Sequence, residues 1–231
     1  MYKTLISLLL LPLLWLAAPV VAETTAADIL VYRVEPRDDA RGYLSRVMVS
    51  DGMLRMEEIG DGAAPGYTLY DRAQRLILGV DPESRSVMLI GPATQTPSDR
   101  EVDYRVESEA LEAAPGVAGK IPVEHRYVVN GEPCFTLIAV AGEMAGAMRA
   151  LGEMSAALAE RHRRVMGSAN AGEDCKMPLD AFAPGEEYSR GLLLSFIGSN
   201  EVRQLVEFQR GVEVDGALFE EPPGYQRLQM P

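Results

Sequence analysis

Apolar and polar positions alternate over short stretches along most of the chain. Between Asp28 and Glu35, Leu30, Tyr32 and Val34 fall on one face, as a half-buried strand requires. Tyr43 to Ser50 and Met53 to Ile59 are two further runs, joined by Asp51-Gly52. A two-residue Asp-Gly link between such runs predicts a hairpin with positive φ at both turn positions. Tyr67 to Asp71, Leu76 to Val80 and Val87 to Ile90 follow, connected by Asp71-Arg72-Ala73-Gln74 and Asp81-Pro82-Glu83-Ser84, which read as type I turns. Ile121, Val123, His125, Tyr127 and Val129 alternate, and Asn130-Gly131 turns the chain into Phe135 to Val140. Gly191 to Ile197 and Val202 to Val214 complete the strand-like runs, before a tail through Phe219 and Tyr225.

One segment has a different period. From Glu143 to Met166, the residues Met144, Met148, Leu151, Met154, Leu158 and Val165 recur mostly at three- and four-residue steps, which predicts an amphipathic helix. Gly142 and Gly167 are placed to bound it. Arg161, Arg163 and Arg164 fall in its last turns, where positive charge complements the helix dipole. The stretch Gly167 to Glu187 reads as a loop. Gly91 to Arg100 and Ala110 to Lys120 also read as loops, too short to mark a domain boundary. A strand about every ten residues, joined by tight turns, describes a β-rich α+β protein with an antiparallel meander, not alternating βαβ units.

The N-terminus stands apart from this pattern. Lys3 precedes an apolar run from Leu5 to Leu16, and then Val20 and Ala22 occupy the small-residue positions of a cleavage site. This is the form of a secretory signal peptide cleaved after Ala22. A span needs about 20 apolar residues, and Pro12 and Pro19 interrupt the stretch, so a membrane anchor fits less well. The expected mature chain, residues 23–231, is one domain in length. Cys134 and Cys175 are the two cysteines. In an exported chain they predict one disulfide, closing a loop of about 40 residues and contributing about 4 kcal/mol. It would tie the loop after the helix to the strand before it.

Composition and charge exclude more than they select. The chain has 34 acidic against 22 basic residues, a net charge of −12. That argues against nucleic-acid binding, which needs a basic face. His125, on the apolar side of a strand, reads as packed and hydrogen-bonded; His162, in the basic end of the helix, reads as solvated. The two make no zinc signature. No Gly-x-Ser-x-Gly elbow occurs. Gly116 to Lys120 lacks the first glycine of a phosphate loop, Ala114 standing in its place. Asp61-Gly62 lacks the alternating ligands of a calcium loop. The pairs Glu57-Glu58 and Glu220-Glu221 are adjacent, so on a strand their side chains would face opposite ways. No cofactor is expected, and an enzyme, such as a hydrolase with dispersed site residues, would need a polar cluster that the motifs do not display.

The methionines of the helix carry the remaining hint. Met144, Met148 and Met154, with Leu151 and Leu158, form a stripe suited to adaptable apolar contact; the plainer alternative is that they pack on the sheet as core. Arg161 and Arg164 are the candidate contacts for an acidic headgroup. The stretches Ser45-Arg46-Val47-Met48-Val49-Ser50-Asp51-Gly52-Met53-Leu54-Arg55-Met56, Thr68-Leu69-Tyr70-Asp71 and Leu76-Ile77-Leu78-Gly79-Val80-Asp81-Pro82 have a shared rhythm, and the chain closes on Phe219-Glu220-Glu221-Pro222-Pro223-Gly224-Tyr225. In these stretches the chain resembles exported bacterial proteins related to the periplasmic lipoprotein carriers (LolA/LolB-like), including an uncharacterised branch. The resemblance implies a curved antiparallel sheet, an incomplete barrel, with the helix packed across its hollow side, where the carriers take lipoprotein acyl chains. The carriers' Arg-Pro strand followed by tryptophan has no counterpart, and Trp15 lies in the leader. The expected function is therefore non-enzymatic binding, in the periplasm, of a lipid or other amphiphile between helix and sheet. The alternative is a protein-interaction or envelope-stress module with a filled core, whose partner is another envelope protein. Oligomeric state is left open.

Overall fold

The computed structural model describes residues 23–37, 41–60, 66–91, 102–168 and 175–229, so the expected signal peptide and Asp61-Gly62 lie outside the described residues. In chain order the strands are β1 (Thr24–Pro36), β2 (Tyr43–Val49), β3 (Met53–Ile59), β4 (Tyr67–Asp71), β5 (Leu76–Asp81), β6 (Ser86–Ile90), β7 (Tyr104–Ala110), β8 (Val123–Val129), β9 (Glu132–Val140), β10 (Leu192–Ile197), β11 (Glu201–Asp215) and β12 (Gln226–Gln229). The helices are α1 (Ala145–Ser168) and α2 (Lys176–Phe182), with single 3-10 turns at Glu186–Tyr188 and Gly216–Phe219. All twelve strands join one sheet, ordered β12-β6-β5-β4-β3-β2-β1-β11-β10-β9-β8-β7. It is curved and does not close. Every pairing is antiparallel except β12 on β6. The β-rich α+β half-barrel expected from the pattern and the resemblance is thus the observed architecture.

Period-2 alternation builds the main core. Leu30, Tyr32 and Val34 of β1, Val47 and Val49 of β2 and Leu54 of β3 share the face that α1 covers. Tyr127 of β8, Phe135 and Leu137 of β9 and Phe196 of β10 continue it. From α1, Ala147, Met148, Ala150, Leu151, Met154 and Ala157 pack down onto this face, so the stripe at helical spacing meets the strand faces. In β4 and β5 both faces are buried: Tyr70 and Ile77 face the main core, while Leu69 and Leu78 join Val80 and Val87 on the other side. The C-terminal segment covers this outer side, Tyr225 packing on one cluster and Phe219 on a second with Ala27 and Met48. That accounts for Leu76-Ile77-Leu78, an apolar run where a one-sided strand would alternate.

Several local expectations are corrected. Asn130 and Gly131 have φ of 52° and 87°, the positive pair that the hairpin predicts. Asp51-Gly52 also closes a hairpin, but neither residue has positive φ. There Ser50 Oγ accepts from the Met53 N–H at 3.2 Å, and Arg72 takes both turn carbonyls, its N–H bonding Gly52 and its guanidinium Asp51. The Asp71 and Asp81 turns fit the type I reading. Asp71 Oδ1 accepts the Gln74 N–H and Asp81 Oδ1 the Ser84 N–H, and Arg75 and Arg85 follow at φ 53° and 52°. The sheet has two strands beyond the runs identified in the sequence, β7 and β12. Both are edge strands with mostly exposed residues, so their pairing is backbone-driven and leaves little apolar periodicity to read.

The expected loop from Gly167 to Glu187 contains α2 and a 3-10 turn. Pro178 obscured α2, yet it sits in the first turn, where the missing N–H has no intrahelical partner to lose. The disulfide forms between Cys134 on β9 and Cys175 at the start of α2, with Cα atoms 5.6 Å apart. It ties α2 to the sheet. Gly185, at φ 77°, brings the following turn against α1: a Cβ there would lie 2.8 Å from Gly152 Cα.

Candidate functional site

A cavity of about 290 Å³ lies between α1 and the sheet, over β1, β2, β3 and β11. From α1, Leu151, Met154, Ser155, Leu158 and His162 line it, two adjoining rows, Leu151-Met154-Leu158-His162 and Leu151-Ser155-Leu158-His162, each at three- and four-residue spacing. From the sheet come Tyr32 and Val34, Tyr43, Ser45 and Val47, and Met56, which the two-residue strand period places on one face. Its remaining boundary is polar: Glu201 and Arg203 of β11, Lys176 and Asp180 of α2, and Glu187 and Tyr188 of the 3-10 turn. The hollow is therefore apolar along its walls and charged at one end. Lys176, Asp180 and Glu201 also border a neighbouring hollow of about 220 Å³ next to the disulfide, Phe135 and Phe196.

The charged end is a compensated network. Arg203 lies 3.3 Å from Glu187 and 2.8 Å from Glu201, donates to Tyr188 Oη at 3.4 Å, and stacks over the Phe196 ring at 4.5 Å. Lys176 pairs with Asp180 one helical turn away and with Glu187 at 3.5 Å. Burial works to raise the Glu187 pKa, but Arg203 and Lys176 outweigh it and hold the carboxyl below its usual range. Asp180 goes the other way: burial pushes it up, and Lys176 only partly offsets this. Lys176 faces two carboxylates, which overcome its burial and raise it. Burial pushes the Tyr188 and Tyr32 hydroxyls far up, and Tyr32 donates to the Leu193 carbonyl at 3.2 Å. His162 Nδ1 is buried with no hydrogen-bond partner among the described residues.

The residues singled out in the sequence fall in different places. Leu151, Met154 and Leu158 line the cavity. Met144 is buried core outside it. Met148, also buried, borders a separate shallow recess of about 590 Å³ with Gly152, Gly185 and Arg190. Arg161 is exposed and does not border the cavity, and the Arg164 side chain lies outside the described residues. The cations that reach the cavity are Arg203 and Lys176, which the sequence did not single out. Neither lies on α1. Arg203 appears as one charged residue in an alternating strand, and Lys176 belongs to a segment read as a loop. His162, read as solvated, instead lines the cavity together with residues of α2 and β11.

A second polar cluster lies on the β8 side. Arg190 Nε donates to Tyr127 Oη at 3.1 Å and its guanidinium pairs with Glu186. Burial pushes the Tyr127 hydroxyl up to about 12. His125 is buried, with Nδ1 2.8 Å from Ser108 Oγ, and is packed and hydrogen-bonded as its strand position predicts. Glu57 pairs with Arg46 and Arg55 on the other face. Lys120 binds the Ala141 carbonyl and Glu143, not a phosphate-loop backbone. Among the described residues no group of three or more His, Cys, Asp or Glu is placed to hold a metal ion.

No family model and no curated protein matches the chain. Among solved structures it is similar to an uncharacterised conserved protein from Thermus thermophilus, with TM-score 0.47 and 11 % identity over 89 % of this chain and 91 % of that one. It is also similar to PNGF-II in a P21 crystal form, with TM-score 0.44 and 8 % identity over 89 % of this chain and 32 % of that one. The chain thus spans about a third of PNGF-II. Neither is described as a lipoprotein carrier, and likenesses at this level assign no function.

Proposed function

We propose that the protein is exported and binds a small amphiphile, such as a lipid or single acyl chain, in the hollow between α1 and the sheet, without catalysing a reaction on it. One observation carries this reading: a cavity whose walls are apolar side chains from α1 and three strands and whose end is polar. Ligand pockets combine apolar walls with a few placed polar groups in this way. At about 290 Å³ it lies just below the ~300–1,000 Å³ range of such pockets. It has room for one chain rather than several. The N-terminal leader pattern and the disulfide are what support export.

The test is native mass spectrometry of protein purified from the periplasm, with organic extraction of the same sample. A reproducible added mass that extracts as an amphiphile is expected. Leu151→Trp places extra bulk in the cavity and should abolish the adduct while the far-UV circular dichroism of the fold is retained. Overpacking costs about 1–3 kcal/mol, so Leu158→Phe serves as a milder second variant. A clean apo mass for the wild type, together with no uptake of added dodecyl amphiphiles, overturns the reading in favour of a filled core that binds protein.

A further inference from the structure

Charge at the polar end of the cavity selects among amphiphiles. The acidic and basic side chains bordering it are Asp180, Glu187 and Glu201 against Lys176 and Arg203, with His162. Three carboxylates face two cations, and each cation already has two of them: Arg203 has Glu187 and Glu201, and Lys176 has Asp180 and Glu187. A phosphate or carboxylate head would meet this excess of carboxylates, and to bridge both cations it would have to displace Glu187, whose side chain is 8 % exposed and would be left buried and unpaired. Such displacement is strongly unfavourable. A cationic head would have to give up its hydration for carboxylates whose charge is already largely neutralised.

Two buried polar atoms at the cavity have no hydrogen-bond partner among the described residues, Arg203 Nε and His162 Nδ1, and Arg203 Nε lies 2.8 Å from Glu201 within their ion pair. Ser155, on the same face of α1, brings a hydroxyl to the lining. A buried polar atom without a partner costs free energy that a ligand hydroxyl or amide can recover.

We infer that the cavity takes an amphiphile with a neutral, hydrogen-bonding head, an alcohol, glyceryl or amide group held at His162, and discriminates against anionic heads. This rests on the amphiphile-binding reading above and narrows it to a ligand class. It also replaces the anionic headgroup that Arg161 and Arg164 suggested in the sequence, since the cations at the cavity are internally paired.

The test uses the full periplasmic protein and three ligands of equal chain length: dodecanoate, 1-monododecanoylglycerol and dodecylamine. Each is titrated by calorimetry below its critical micelle concentration at neutral pH. The neutral ligand should bind at least about tenfold more tightly than dodecanoate, the scale of leaving a buried charge poorly paired. His162→Leu should lower its affinity about three- to tenfold, the worth of one hydrogen bond, and His162→Gln, which retains a donor and an acceptor, should recover much of the loss. Dodecanoate or dodecylamine binding as tightly as the neutral ligand overturns the inference while leaving amphiphile binding intact. Binding of none of the three overturns amphiphile binding itself.

Discussion

Glu187 is the group on which the polar end of the cavity depends. Its side chain is 8 % exposed and it faces two cations, Arg203 at 3.3 Å and Lys176 at 3.5 Å. Glu187→Gln keeps the shape and removes the charge. Arg203 would then retain Glu201, and Lys176 would retain Asp180. Removing one member of a buried pair costs about 3–5 kcal/mol when the other is left alone. With both cations keeping a second carboxylate, the lower figure of about 3 kcal/mol applies. In a domain of this size that is a fall in Tm of about 6–12 °C. Urea unfolding followed by circular dichroism at pH 7 measures it, and a cycle with Arg203→Met should give a coupling energy above about 1 kcal/mol. The pH dependence supplies an independent check. The folded-state pKa of Glu187 is below the ordinary 4.5, so its stabilisation is complete above pH 4.5 and is lost as the pH falls through the lower folded value. The gap between wild type and Glu187→Gln should therefore narrow on acidification. A variant within about 1 kcal/mol of wild type at pH 7, the range of an ordinary surface change, would refute the network as described.

Two further outcomes follow from other parts of the fold. Reducing the Cys134–Cys175 disulfide, or replacing both cysteines with serine, opens a link between residues 41 apart and should lower stability by about 4 kcal/mol on the chain-entropy estimate; an unchanged urea midpoint with reductant would show that the link constrains nothing. Burial, and then Arg190, hold His125 below its ordinary 6.5, so its contribution is present above pH 6.5 and lost as the pH falls through the folded value. His125→Asn should flatten the stability–pH slope just below 6.5, and an unaltered slope would contradict this.

Strand pattern and turn chemistry were legible because they are local. Leu30, Tyr32 and Val34 announce a buried face by spacing alone, and Asn130-Gly131 fixes its turn because few residue pairs adopt positive φ twice. The same holds for the α1 stripe and for the pairing of two cysteines, which are the only two in the chain. The edges β7 and β12 were not legible, because an edge strand can be held by backbone hydrogen bonds with few buried side chains. Nor was the Asp51-Gly52 conformation, which depends on Arg72 approaching from a different turn.

The candidate site divides along the same line. Sequence determined that α1 offers Leu151, Met154 and Leu158 in one row, since helical period is a property of the segment. It could not determine that Met148, one turn before Leu151, borders a different recess, because that depends on where the sheet curves away. Nor could it bring Arg203, Lys176, Asp180 and Glu187 together with His162. These come from β11, α2, a 3-10 turn and the far end of α1, and only the folded packing of those elements sets which charge faces which. Periodicity is written residue by residue, whereas the charge balance of a cavity belongs to groups that are neighbours only after the chain has closed around them.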